Sequence, residues 1–489
     1  MDKRRQIRHL LRRFGFGPSV AEVNSFEKLG VDGTIAHLLD YDKIDEGFPI
    51  SQWEICFEPK QTDMYVDPQR MALWWALRLL MTKRPLQENL TLFWHNHLAV
   101  SGGKVEFGPS MTEYIQVLRD NATGHFPTMV EQVSQTPAML RWLDTDMSEI
   151  SHPNENFARE LMELFTMGVG NYTETDVRQA ARAFTGWSLR YYIYEAGGPH
   201  VQERLRECAL KNVPMIAASF APGLCDLGPK TVLGKTGDLS AHDIIEMVST
   251  RPETATRTTK KLWEWFGYPD PEPKIVEKLA ATFKKSGYHI KPVIKEIATM
   301  PEFWSAKCIR GKIKSPADFV IGIFHQLELD DFLASLRPAT TTPETPLPPL
   351  LRGIGYILWQ SMSQQGLEIL FPPDVSGWRW GTAWMTSANI AERMKFSATV
   401  CNVGNSDKGL VNYFGNKIKA DYKPVTAEDV VNGICDIFDV EFEKDKLAIL
   451  TKAATAAGGP HALDTPGGAS NLCHAVCRLI FASPEFQMC

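Results

Sequence analysis

Apolar residues recur every three to four positions along most of this chain, and few stretches alternate strictly. A three-to-four spacing belongs to a helix with one buried face, so the pattern predicts a mainly α fold. Helices are expected around 70–82, 86–98, 111–120, 154–167, 174–185, 240–249, 257–266, 274–285 and 291–299. They imply a large multi-helix orthogonal assembly with long irregular loops and at most small hairpins. Residues 190–235 break the pattern, being rich in Gly, Pro and Tyr, and read as a long irregular insertion with a short hairpin. Residues 338–349 carry five prolines, which remove amide donors and predict an extended, exposed linker. They divide a main helical domain, 1–337, from a C-terminal helical part, 350–489, that packs on it. Residues 456–470, rich in Ala, Gly and Pro, are expected to be a flexible loop. Ile297–Phe303 and Ile480–Phe486 echo one another: each runs an apolar helix into Pro-Glu-Phe.

Composition narrows the class. Of 489 residues, 44% are hydrophobic and 22% charged, so a large core is available. No apolar run is long enough to span a membrane. A net charge of -6 argues against nucleic-acid binding. Nine scattered cysteines read as reduced thiols rather than a disulfide framework. Cys473, His474 and Cys477 have the spacing of half a zinc site, but buried helix residues are the simpler reading. Near Met1, arginines interrupt the apolar stretch that a secretory signal needs, which favours a cytoplasmic location. Ile7, Leu10, Leu11 and Phe14 instead form one stripe of an amphipathic helix, with a basic face left to solvent or anionic lipid.

The densest polar segment is 153–168. Phe157, Leu161, Leu164 and Phe165 make an apolar stripe, and Asn156, Glu160 and Glu163 share a second face. Glu155 and Arg159 form an i, i+4 pair. Gly168 and Gly170 supply a turn, and Thr173 with Asp176 opens a second helix bearing Arg178 and Arg182. A short turn implies antiparallel packing, which would bring these arginines to the carboxylates. The result is either a charge network locking the hairpin or an acidic pocket for a metal or acid–base work.

Leu90–Val100 contains His95 and His97. In a helix their side chains point about 200° apart, so they cannot readily share one ion. Leu86, Leu90, Phe93, Trp94 and His97 fit one stripe, which turns His97 to the core. Phe371–Trp384 reads as a rigid aromatic loop. Trp378, Trp380 and Trp384 offer a stacking platform for a sugar ring, with Asp374 and Arg379 as polar handles; loop anchoring is the simpler alternative. Gly228–Gly237 imitates a phosphate loop, but Pro229 stands where that motif needs glycine.

Together, His9–Pro18, Leu90–His97, Asn154–Gly170, Asp176–Trp187, Gly228–Gly234, Ile313–Pro316 and Pro372–Trp378 resemble the bacterial domain of unknown function 1800 family. The resemblance spans nearly the whole chain. It implies no assigned activity. It implies proximity to a sulfatase-like family, domain of unknown function 1501, and export for many members. The chain departs from the pattern at Cys225-Asp226, where the family resembles His-Asp; cysteine there would suit only a softer metal such as zinc.

Two functions are therefore expected. The first is a metal-assisted hydrolase acting on an anionic or glycan-type substrate. Its ligands to a divalent metal such as zinc would be His97, Glu160 and Glu163. Its catalytic groups would be His95, Glu155, Arg159 and Arg182, and its substrate contacts Lys230, Asp374, Trp378, Arg379 and Trp384. The second is a non-catalytic helical scaffold or accessory subunit that binds a sulfatase-like partner, or a glycan through the tryptophan loop.

Overall fold

The computed structural model describes residues 1–56, 66–191, 207–208, 210–211, 213–338, 341, 345–402 and 410–489. Helices carry it. Among those used below are α1 (Lys3–Phe14), α2 (Pro68–Met81), α3 (Pro85–His97), α4 (Gly108–Asp120), α5 (Asn156–Glu160), α6 (Glu174–Ala183), α7 (Pro252–Phe266) and α8 (Pro349–Gln364). The other expected helices also form, at Ala241–Ser249, Pro273–Lys285 and Ile290–Thr299. Several open on Pro in the first turn, where its missing N–H costs nothing.

Strands are minor. β1 (Trp187–Tyr191) pairs antiparallel with β2 (Ile216–Phe220), placing Trp187 opposite Phe220. β3 (Lys230–Val232) pairs with β4 (Lys235–Gly237). The 190–235 insertion is thus flanked and closed by hairpins; its residues 192–206, 209 and 212 lie outside the described set.

The buried apolar side chains form one cluster running from Ile7 to Phe486. Fully burying aromatics such as Trp75, Trp94 and Trp263 contributes on the order of 1.5–3 kcal/mol each. One face of α1 joins this core, and its basic face meets solvent only in part: Lys3 and Arg5 are exposed, whereas the next arginines turn to protein. Arg8 and Arg12 pair with the buried Asp439, and Arg8 also reaches Asp436 at 2.5 Å. Two acidic groups elsewhere are likewise matched. Glu88 on α3 accepts from Arg119 at 2.5 Å and from the Trp75 indole at 3.0 Å. Glu46 takes both Arg119 and Arg78 at 2.8 Å.

Two expected loops are more ordered than predicted. Leu347, in the proline-rich segment, is buried and its N–H donates to the Glu54 carbonyl at 3.2 Å. Residues 339–340 and 342–344 of that segment lie outside the described set. Residues 456–470 form a 3-10 turn, Gly459–Asp464, and the start of the helix Pro466–Ala482. The Pro-Glu-Phe echo is structural: both prolines open a short helical turn that buries Phe303 and Phe486.

Candidate functional site

The stripe expected on α3 forms, yet every residue from Leu86 to His97 is buried, so both histidines face protein. The Leu370 N–H donates to His95 Nε2 at 3.2 Å. That leaves the proton on Nδ1, which donates to the Tyr114 hydroxyl at 3.1 Å, and Tyr114 donates to the Leu98 carbonyl at 2.7 Å. Burial pushes the imidazole down to about 3. His95 is therefore a neutral core residue with both nitrogens used.

Its task is visible in its partner. Leu370 sits at φ 69°, a strained conformation for leucine, at the start of the tryptophan loop. Asn96 completes the clamp: its Oδ1 accepts the Trp378 N–H at 2.6 Å. Gly377, at φ 80°, passes so close that a Cβ would lie 2.3 Å from that oxygen. Trp378 and Trp384 are buried, Trp378 with its ring edge-on to His95. These two anchor the loop, and the half-buried Trp380 packs edge-on against Trp265. Asp374 is exposed and closes an Asx turn onto Ser376, and Arg379 is exposed beside it.

His97 is also spoken for. Its Nε2–H donates to the Phe165 carbonyl at 2.9 Å, so Nδ1 is the acceptor for Lys261 Nζ at 3.0 Å. Burial and the Lys261 and Arg257 charges hold the imidazole well below its ordinary range. The Phe165 carbonyl ends a π-turn, Leu161–Phe165, that continues α5. A π-turn leaves carbonyls out of register, and here cationic or polar groups cap them. Arg257 donates to the Leu164 carbonyl at 3.2 Å and Thr166 to that of Leu161 at 2.5 Å.

Around this turn lies a half-buried polar cluster. Glu163 accepts from the Tyr172 hydroxyl at 2.5 Å. Desolvation, then the Glu163 charge, raises the Glu160 carboxyl. Desolvation, then the Arg257 charge, lowers the Lys261 ammonium to about 8. The sequence reading missed Arg257, Lys261 and Tyr172. The available signal was two cations at i, i+4 on one face of α7, next to the buried Thr254 and Thr258.

The expected metal set is not assembled. His97 has no free nitrogen, and among the described residues no three His, Cys, Asp or Glu side chains gather closely enough to hold an ion. Cys473 and Cys477 are buried thiols beside Cys401, and His474 Nδ1 lies 3.3 Å from the Ser397 hydroxyl.

The charge pairing across the helical hairpin is also different from that expected. Arg159 bonds Glu155 at 3.0 Å, as its spacing predicts, and reaches Glu174 at 2.7 Å on the surface. Arg182 turns away from Glu160 and Glu163. It holds Asp226 at 2.6 and 3.1 Å and the Pro229 carbonyl at 3.0 Å, while Arg178 is exposed. Asp226 N–H donates to Thr185, and Asp176 Oδ1 accepts the Leu233 N–H. Lys230 gives its ammonium to the Asp226 and Gly228 carbonyls at 2.6 and 2.9 Å. Segments 176–187 and 225–234 thus form one clasp. Cys225 packs beside Gly186 in it, with no metal cluster around it among the described residues.

The structure thus defines a mainly helical protein whose sequence motifs meet as loop clamps, helix caps and a clasp. The family model "Protein of unknown function (DUF1800)" matches residues 9–488. The chain belongs to that family. No curated protein and no solved structure matches it. No described helix is long and apolar enough to cross a membrane.

Proposed function

We propose that the chain is an accessory protein that acts by binding a protein partner. The observation carrying this reading is a set of exposed apolar side chains at the clasp. Met147, Ile150, Leu224 and Leu227 are 42–70% exposed. They are gathered by the Ile150 N–H donating to the Leu224 carbonyl at 3.1 Å and the Gly186 N–H donating to that of Ser148 at 3.0 Å. Apolar groups held in water by ordered backbone favour a partner surface. A sulfatase-like protein is the partner that the family resemblance implies. The test is co-purification with a co-expressed sulfatase-like protein of the domain of unknown function 1501 family. Ile150→Asp and Leu227→Asp should each abolish a complex that the wild type forms. No wild-type complex, or one indifferent to both changes, overturns the reading.

A second reading, metal-independent hydrolysis of an anionic substrate, is favoured by the π-turn cluster. There burial raises the Glu160 carboxyl and lowers the Lys261 ammonium, within a turn that also carries Glu163, Tyr172 and Arg257. Arg257 and Lys261 would hold the anionic group and Glu160 would move the proton. In a screen of phosphate and sulfate esters, Glu160→Gln and Lys261→Met should each remove wild-type turnover without changing the melting curve. A wild type without turnover, or variants that keep it, would end this reading.

A further inference from the structure

We propose that the cavity between α2, α4 and residues 213–216 binds a linear di- or polyamine through Glu113 and Asp120. The cavity has a volume of about 510 Å³, the size of a small-molecule site. Its walls mix the apolar Trp53, Trp74 and Phe107 with few charges. The charged side chains facing it are Glu113 and Asp120 from α4 and Arg78 from α2; residues 213–216 contribute only apolar groups. Arg78 is already neutralised, its guanidinium gripping Glu46 at 2.8 and 3.1 Å. The uncommitted charge is therefore negative, which selects against anions and for ammonium groups.

Glu113 stands out because no hydrogen bond or ion pair among the described residues engages its carboxylate, and it is not among those with further partners. Glu113 lines the cavity with its side chain still open to solvent, and desolvation by the walls pushes the carboxyl up to about 7. Asp120 stands seven residues on, where it accepts from Gln116 at 2.7 Å. Seven residues bring a helix back to the same face, about 10 Å further along its axis. Ammonium groups at the two ends of an extended polyamine span such a distance. The aromatic walls accept its methylene stem and add cation–π attraction.

An ammonium beside Glu113 favours the carboxylate, so binding should expel its proton. The carboxylate fraction rises about tenfold between pH 6 and pH 8 for a group titrating near 7. The test is calorimetry on the full chain with spermidine, against sorbitol and citrate as neutral and anionic controls, in two buffers of different ionisation enthalpy. The expected result is spermidine binding that tightens about tenfold from pH 6 to pH 8 and releases protons near pH 7. Glu113→Gln should weaken it at least tenfold at pH 8 and remove the pH dependence, and Asp120→Asn should weaken it less. Among the described residues neither side chain supports the fold through an ion pair, so both variants should melt with the wild type. Absence of spermidine binding at pH 8, equal binding of sorbitol or citrate, or wild-type affinity that ignores pH overturns the proposal without reference to any variant.

Discussion

At the scale of single residues, His95 shows how a polar side chain in an apolar stripe serves the fold. Its ring accepts one backbone N–H and donates to one hydroxyl, so the neutral form is fully satisfied. Protonation would cost Nε2 its acceptor role. The folded group titrates at about 3 against an ordinary value of 6.5, so between those values only the unfolded chain takes up the proton. The stability due to neutral His95 is therefore fully present above pH 6.5 and is lost as pH falls towards 3. The shift caps that loss at about 5 kcal/mol, and His97 acts in the same direction. Urea unfolding at pH 7 and pH 4 should show it. His95→Phe should start about 1–3 kcal/mol lower, because the Leu370 N–H loses its acceptor, but should fall less steeply with acid. A wild-type stability that stays level from pH 6.5 to 4 would contradict a buried neutral imidazole.

At the scale of elements, helix positions were legible and loop partners were not. The expected segments 70–82, 111–120 and 274–285 match α2, α4 and Pro273–Lys285 within three residues at each end, because periodicity records the buried face. The Thr173–Asp176 capping box and the Glu155–Arg159 pair were likewise readable, since both ends lie within one helical turn. The pairing of Arg182 was not. Its partner, Asp226, is 44 residues away across the β1–β2 insertion, and nothing local distinguishes it from the nearer Glu160. The same limit hid Lys261, 164 residues from His97. The clasp makes its own prediction. Asp226→Ala would strip Arg182 of two charged hydrogen bonds and the Gly228 N–H of its acceptor. The cost should be about 1–3 kcal/mol, since the pair is partly solvated. Limited proteolysis should then cut between 216 and 237 faster than in the wild type. An unchanged rate and unchanged unfolding midpoint would mean that the clasp does not hold the insertion.

At the scale of the whole molecule, the proline-rich segment separates less than its composition suggests. The chain on either side of it contributes to one apolar cluster. Three further ties cross it: Arg8 and Arg12 of α1 to Asp439, a β-bridge between Ile313 and Met488, and the buried Arg393 donating to the Lys314 carbonyl at 2.8 Å. Composition flags a break in helical propensity, but whether two sides share a core depends on contacts no local window contains. Neither part should then fold by itself, because each would expose the apolar face that the other covers. Coexpressed as separate chains, 1–341 and 345–489 should co-purify as a complex with a wild-type-like circular dichroism spectrum; expressed singly, each should aggregate or bind a hydrophobic dye. Asp439→Asn supplies the matching point test. It would leave Arg8, Arg12 and Arg310 facing a neutral side chain in a buried site, at a cost on the order of 3–5 kcal/mol, and should weaken association of the two pieces most of all. A soluble, cooperatively melting 345–489 fragment would instead restore the two-domain division that the prolines suggest.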